Sequence, residues 1–349
     1  MPPTNRLLAY FTDGLDSYSF ADRVGTEVET SFVNAGSNQP ITVATSQNIF
    51  CAMVDAGWNV TEQKGELLTE LTHPDGDRML YELGRSNIEL SLAPQKPAEL
   101  VRYTHLKLEQ LCRVAGTAGA APWEKPILPG AEDLLVIPDE RDATWLDLDG
   151  REALKLLTRC SAVQFTIDVP PDRAIAVINN LNLNLTEFLR DYPQEAIWRR
   201  YIAESKADYR ADRYGGPSHF DSLEHYCEEL VKHDAIVSGQ LVPHDQVDNL
   251  NIPMFIRSVW WYFRLRRFGR KLCVEIRPLP RLGNNDIADQ LTMTGRLARG
   301  WDQNPHSDTV RCQCDKCFFS YDNIIYQPKA IRDWWTPQIY HDTEKQYLF

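Results

Sequence analysis

The chain has 349 residues, 43% of them hydrophobic and 25% charged, with a formal net charge of −12. That length is ample for a sizeable buried core. The acidity argues against a general nucleic-acid or anionic-membrane binder, which needs a broad cationic surface, and it suits a protein that gathers divalent cations.

In chain order, residues 19–33 alternate and predict a strand, and 46–56 a helix. Strands at 58–63, 66–73 and 77–83 are broken by Lys64–Gly65 and by the PDGD turn at 74–77. They predict an antiparallel meander, continued by SNIELSL at 86–92. A helix is predicted over 97–117, a Pro-rich acidic loop over 121–142, a short helix over 150–158 and the strand CSAVQFTIDV at 160–169. After Pro170–Pro171, the segment from Asp172 to Tyr192 reads as one long amphipathic helix. Residues 204–223 are polar and irregular, the composition of a functional loop. A helix near 222–236, an aromatic and basic segment at 257–271 and the strand KLCVEIRPL at 271–279 follow. Residues 284–300 and 328–346 read as helices. With neither a repeat nor a linker-like stretch, the pattern predicts one domain of the α+β class.

No apolar run is long enough for a membrane span. The N-terminus MPPTNRLLAYFTDG lacks the pattern of a signal peptide. Cys51, Cys112, Cys160, Cys227 and Cys273 are scattered in apolar contexts, as reduced thiols would be. A cytoplasmic protein that needs no membrane is the expectation.

The polar residues of the strands carry the chemistry. Glu27 and Glu29 share one face of the first strand while Val24, Val28 and Phe32 take the other. In SNIELSL, Asn87, Glu89 and Ser91 oppose Ile88, Leu90 and Leu92. In CSAVQFTIDV, Gln164, Thr166 and Asp168 alternate with Val163, Phe165 and Ile167, and in KLCVEIRPL, Lys271, Glu275 and Arg277 share a face. Any one of these is an ordinary half-solvated strand. Glutamate is depleted in strands, however, and two on one face repel. If the strands are neighbours, the carboxylates converge. Such a set, without His or Cys, favours a hard cation, Mg²⁺ or Mn²⁺. Arg277 then either neutralises a transferred phosphoryl group or forms an ion pair on the strand face.

These residues resemble the glutamate–cysteine ligases and their carboxylate–amine ligase relatives, within the glutamine-synthetase-like superfamily. GTEVET at 25–30, YELGRSNIEL at 81–90, TRCSAVQFTIDV at 158–169, ADYRADRYGGPSHFDSLEHY at 207–226 and VEIRPLP at 274–280 are similar, in order and spacing, to the family's blocks, and together span roughly residues 20–300. The resemblance implies a curved, mainly antiparallel sheet forming a funnel, with helices on its outer face. It also implies an ATP- and Mg²⁺-dependent ligase that phosphorylates a carboxylate, usually that of glutamate, and passes the acyl group to an amine. Glu27, Glu29, Glu82, Glu89, Gln164 and Glu275 match metal-facing positions, and Arg277 with Glu27 the catalytic ones. Arg210 and Arg213 lie in the loop that supplies substrate- or phosphate-contacting arginines, one of them being the match, and Thr166 stands on the substrate side where many relatives carry Asn; Lys271, on the face of Glu275 and Arg277, is a further nucleotide-binding candidate. An amide-forming tailoring enzyme acting on a peptide or specialised metabolite, and a silent metal-stabilised binding module, are the alternatives. A homodimer is one expectation for assembly.

Two further features stand outside that pattern. Cys312, Cys314 and Cys317, after His306, form a C-x-C-x₂-C turn within a 301–349 extension that matches nothing in the family. It reads either as a structural Zn²⁺ site with His306 as fourth ligand or as a reduced turn without metal. The segment SVWWYFRLRRFGRK (258–271) carries aromatics and arginines. Stacking plus charge can hold single strands, but the net acidity favours a funnel wall that helps hold ATP phosphates. No Walker A or Rossmann glycine pattern occurs, so ATP would be bound through metals and the sheet.

Overall fold

The alternating segments assemble into one open antiparallel sheet. The structure, a computed structural model, describes residues 2–136, 140–247 and 250–300. The strands are β1 (Val24–Asn34), β2 (Asn59–Lys64), β3 (Leu67–Thr72), β4 (Arg78–Tyr81), β5 (Asn87–Gln95), β6 (Ala120–Trp123) and β7 (Ala162–Asp168), then the short β8 (Tyr214–Gly215), β9 (Ala235–Val237), β10 (Gln240–Val242) and β11 (Trp260–Trp261), and finally β12 (Phe263–Phe268) and β13 (Lys271–Pro280). The main sheet runs β12-β13-β7-β1-β5-β4-β3-β2, with β6 pairing the far end of β1. β8 and β11 pair in parallel, and β9 and β10 form a hairpin.

The helices are α1 (Pro3–Thr12), α2 (Val43–Asp55), α3 (Pro97–Thr117), α4 (Glu140–Asp149), α5 (Arg151–Leu157), α6 (Ala174–Leu183), α7 (Leu185–Leu189), α8 (Gln194–Glu204), α9 (Leu223–Leu230), α10 (Ile252–Arg257) and α11 (Asp286–Arg299). Local chemistry sets several of their starts. Thr42 and Ser222 accept the backbone N–H three residues on, at 3.2 and 3.1 Å, capping α2 and α9. Pro97 occupies the first turn of α3, where its missing N–H has no cost. Among the described residues no helix is long and apolar enough to cross a membrane.

One face of the sheet is apolar. Val24, Val28, Ile88, Leu90, Val163, Phe165, Ile167, Val274 and Ile276 are buried in a common core with Leu108 and Leu111 of α3, Val177 and Ile178 of α6 and Leu291 of α11. Burying such side chains contributes about 1.5–3 kcal/mol each, so the polar residues between them are forced onto the opposite face.

The structure departs from the sequence reading in three places. The segment from Asp172 to Tyr192 is two helices, because Asn184 turns its amide onto the carbonyl of Asn180 at 2.8 Å and α6 ends at Leu183. The stretch 121–142 contains most of β6 and the start of α4. Helix α8 was not foreseen. The basic segment at 257–271, expected as part of a funnel wall, is strand over most of its length. The 301–349 extension, including His306, Cys312, Cys314 and Cys317 and the predicted helix at 328–346, lies outside the described residues.

Candidate active site

Strand register builds the site. Glu27 stands opposite Gln164 on one neighbour and Ser91 on the other, Glu29 stands opposite Glu89, and Glu275 pairs with Thr166 and with Arg264. Opposed residues of an antiparallel pair project to the same side. β1, β5, β7, β12 and β13 therefore deliver their polar residues to one surface. Glu82 joins from the β4–β5 turn, with its N–H donating to the carbonyl of Asn87 at 3.2 Å. Gly84 makes that turn fit: a Cβ there would lie 2.4 Å from the carbonyl oxygen of Thr158.

The carboxylates divide into two environments. Glu29, Glu82 and Glu89 each bring an oxygen within 4.8 Å of the others'. Burial, then the charge of Glu82, raises the Glu29 pKa to about 8 against the pull of the Ala162 N–H, Arg277 and Gln164. Burial, then the charges of Glu27 and Glu82, holds Glu89 well above the usual carboxylate range. Burial and the charge of Glu275 likewise raise Glu27. This is a surface short of positive charge. Its donor set is oxygen only, which suits Mg²⁺ or Mn²⁺.

Glu275 behaves in the opposite way. Burial would raise its pKa, but Arg264, Arg266 and Arg277 overwhelm that and hold it well below the ordinary value. Arg264 pairs with Oε2 and Arg266 with Oε1, the latter at 2.7 Å. Arg264 is itself fixed by the carbonyls of Ile256, Arg257 and Val259 at 3.0–3.2 Å. Glu275 is thus neutralised by the protein.

Gln164 links the two halves. Its amide nitrogen donates to Glu29 Oε1 at 3.1 Å and its oxygen accepts from Arg277 Nη1 at 2.9 Å. Glu29 also accepts the Ala162 N–H at 2.9 Å. The guanidinium of Arg277 is therefore coupled to the carboxylate triad through one amide.

The other expected site residues are spread more widely. Thr166 sits beside Glu275 in the ladder, half-buried. Lys271 lies at the far end of β13, on Asp168 at 2.5 Å and Asp22 at 3.3 Å. Arg210 is exposed and paired with Asp212 at 2.7 Å. Arg213 is buried, donating to the Ser258 and Asp234 carbonyls at 2.9 and 3.0 Å beneath the rings of Tyr209 and Trp260. Neither loop arginine bonds to the carboxylates. Arg264 and Arg266 were expected in the funnel wall as phosphate-holding groups; their pairing with Glu275 was not read from the sequence, although their alternation with Phe263 and Leu265 was a usable signal. Arg78 escaped the sequence reading. It stands opposite Ser91 and makes a bidentate pair with Glu70 at 2.6 and 2.9 Å.

A second acidic cluster, His73, Asp75 and Asp77, is already filled. Lys107 Nζ stands 3.1 Å from Asp75, 2.8 Å from Asp77 and 3.3 Å from His73 Nδ1.

The chain matches no protein-family model, and no curated protein is detectably similar to it. Solved structures similar to it include the glutamate–cysteine ligase of Francisella tularensis in complex with AMP, at 11% identity over 91% of this chain and 71% of that one, with a TM-score of 0.48. A bifunctional glutathione synthetase from Pasteurella multocida is similar at 13% identity over 79% of this chain and 38% of that one, with a TM-score of 0.44.

Proposed function

We propose that the protein is an ATP- and Mg²⁺-dependent ligase that joins a carboxylate, glutamate or a glutamate-like acid, to an amine. One observation carries this reading: the Glu29, Glu82 and Glu89 triad, underneutralised and oxygen-only, is coupled through Gln164 to Arg277 and the arginine-held Glu275. A surface with a gap for a divalent cation on one side and guanidinium groups on the other suits phosphoryl transfer, which needs positioning and charge neutralisation more than a nucleophilic side chain.

In this reading Glu29, Glu82 and Glu89 hold Mg²⁺, with Glu27 beside them. When bound, Mg²⁺ supplies charge neutralisation for the phosphates of ATP. Arg277 faces the transferred phosphoryl group, while Gln164 fixes Arg277 and Glu29 in one geometry. A substrate carboxylate oxygen attacks the γ-phosphorus and ADP leaves. The amine then attacks the acyl carbon, loses a proton and expels phosphate.

The test is incubation with ATP, Mg²⁺ and glutamate across a panel of amines, with ADP and phosphate measured. Amine-dependent release of both is expected. Release that ignores every amine would remove the ligase reading. Glu29→Gln is expected to lose at least about 100-fold in turnover while remaining folded.

A further inference from the structure

The wall beside Arg277 contains a residue that the sequence motifs do not mark. Tyr192 lies in the turn between α7 and α8, with its N–H on the Leu189 carbonyl at 3.3 Å and its own carbonyl accepting from Glu195 at 3.1 Å. Two residues on, the fully buried Gln194 donates at 2.8 Å to the carbonyl of Ser161, the residue before the Ala162 N–H that binds Glu29. This anchor sets the turn over the start of β7. Tyr192 consequently feels the charges of Arg277, Glu29 and Glu195 and lies beside Cys160.

The neighbouring phenols are satisfied. Tyr214 donates to Glu195 Oε2 at 2.7 Å and Tyr262 to Oε1 at 2.6 Å, with Arg199 on the same carboxylate at 2.8 Å. Tyr192 is only 6% exposed, yet its hydroxyl bonds to no described residue. Arg277 is similar: Nη1 serves Gln164 and, at 3.5 Å, Glu275, while the remaining guanidinium N–H groups meet no acceptor among the described residues. Unused donors on a phenol and a guanidinium therefore share one corner of the site.

Resting on the ligase reading, we propose that the Tyr192 hydroxyl and Arg277 form a two-donor seat for an anionic oxygen of the reactants, either of the acid's carboxylate or of the phosphoryl group transferred to it. Burial, the first cause, keeps the phenol pKa well above 10, so the hydroxyl carries its proton at neutral pH and can donate. A donor aimed at an oxyanion in a water-poor site is worth far more than one in solution.

Tyr192→Phe removes one oxygen and keeps the ring. Binding of inorganic phosphate and of glutamate, each with Mg²⁺ present, is measured by calorimetry on wild type and variant, together with steady-state kinetics. One of the two probes is expected to bind the variant about tenfold or more weakly, and its identity names the anion. Turnover should fall by about tenfold to 100-fold. Both probes binding the variant as tightly as wild type, or neither binding wild type, overturns the proposal. Tyr192→Met provides the same comparison if the first variant does not fold. Phosphate binding weakened in the variant while wild type shows no amine-dependent turnover keeps the anion seat and removes the ligase reading. Normal binding and turnover in Tyr192→Phe does the reverse.

Discussion

Metal-free protein should lose stability as pH rises from 7 to 8.5, and Mg²⁺ should remove most of that loss. Glu29 is raised from 4.5 to about 8. A carboxyl whose folded pKa lies above its unfolded value holds a proton that the unfolded chain has released. Its contribution is complete below the unfolded value and disappears as pH rises through the folded one. Applied to Glu29 alone, this linkage gives a loss of about 1 kcal/mol between pH 7 and 8.5, and Glu89, also raised, adds to it. The thiols of Cys112, Cys160, Cys227 and Cys273, raised by burial, add a smaller loss near the top of the window that Mg²⁺ does not touch. His233 and His244, pushed by burial down to about 4, are neutral in the folded protein, and their remaining protonation in the unfolded chain near pH 7 offsets only about 0.3 kcal/mol of the loss. Glu275, pulled down, matters only in acid. Urea unfolding in EDTA and in Mg²⁺, at half-unit steps of pH, reads the difference. Glu29→Gln in EDTA should be at least as stable as wild type at pH 8, and should gain little from Mg²⁺. An EDTA profile that is flat or rises across the window, or a Mg²⁺ effect independent of pH, refutes the argument.

Glu275→Gln should destabilise the fold by about 3–5 kcal/mol, because it leaves Arg264 buried without its carboxylate; a cost under about 1 kcal/mol in urea unfolding would mean that the pair holds nothing. Arg210→Ala should alter stability by no more than about 0.5 kcal/mol, whereas Arg213→Met, which strips the Ser258 and Asp234 carbonyls of a buried donor, should cost about 2 kcal/mol or more by the same measurement. Gly216→Ala should lower the melting temperature by several degrees, since φ is +80° there and a Cβ would lie 2.5 Å from Trp261 Cγ; an unchanged melting temperature would show that the loop relaxes freely.

The sheet was legible because its strands alternate cleanly, and the buried face left the polar residues one place to go. From GTEVET and SNIELSL alone, Glu27, Glu29 and Glu89 could be assigned to a face. Only the register, with Glu29 opposite Glu89 and Glu27 opposite Gln164, shows that the faces meet. Sequence spacing could not supply this, since β1 pairs with strands more than fifty residues away on one side and more than a hundred on the other. The helix break at Asn184 was missed because a side-chain-to-backbone bond overrode a good apolar period. Tyr192 was invisible for a different reason: it sits in a turn, and its importance lies in a missing partner.

The division of the carboxylates is the deeper lesson. Read as letters, Glu27, Glu29, Glu82, Glu89 and Glu275 are equivalent acids in similar motifs. In space Glu275 is shared by Arg264 and Arg266 and needs no further cation, while Glu29, Glu82 and Glu89 face one another and Glu29 accepts from neutral donors, the Ala162 N–H and the Gln164 amide. Since an isolated buried charge is costly, the second group must remain partly protonated, open to water or bind a metal. The first group already has its counter-charge and is free to organise arginines. An edge strand rich in basic residues, β12, is what creates that asymmetry. The chemistry of the site therefore depends on a segment that resembles none of the acidic motifs by which it would be sought.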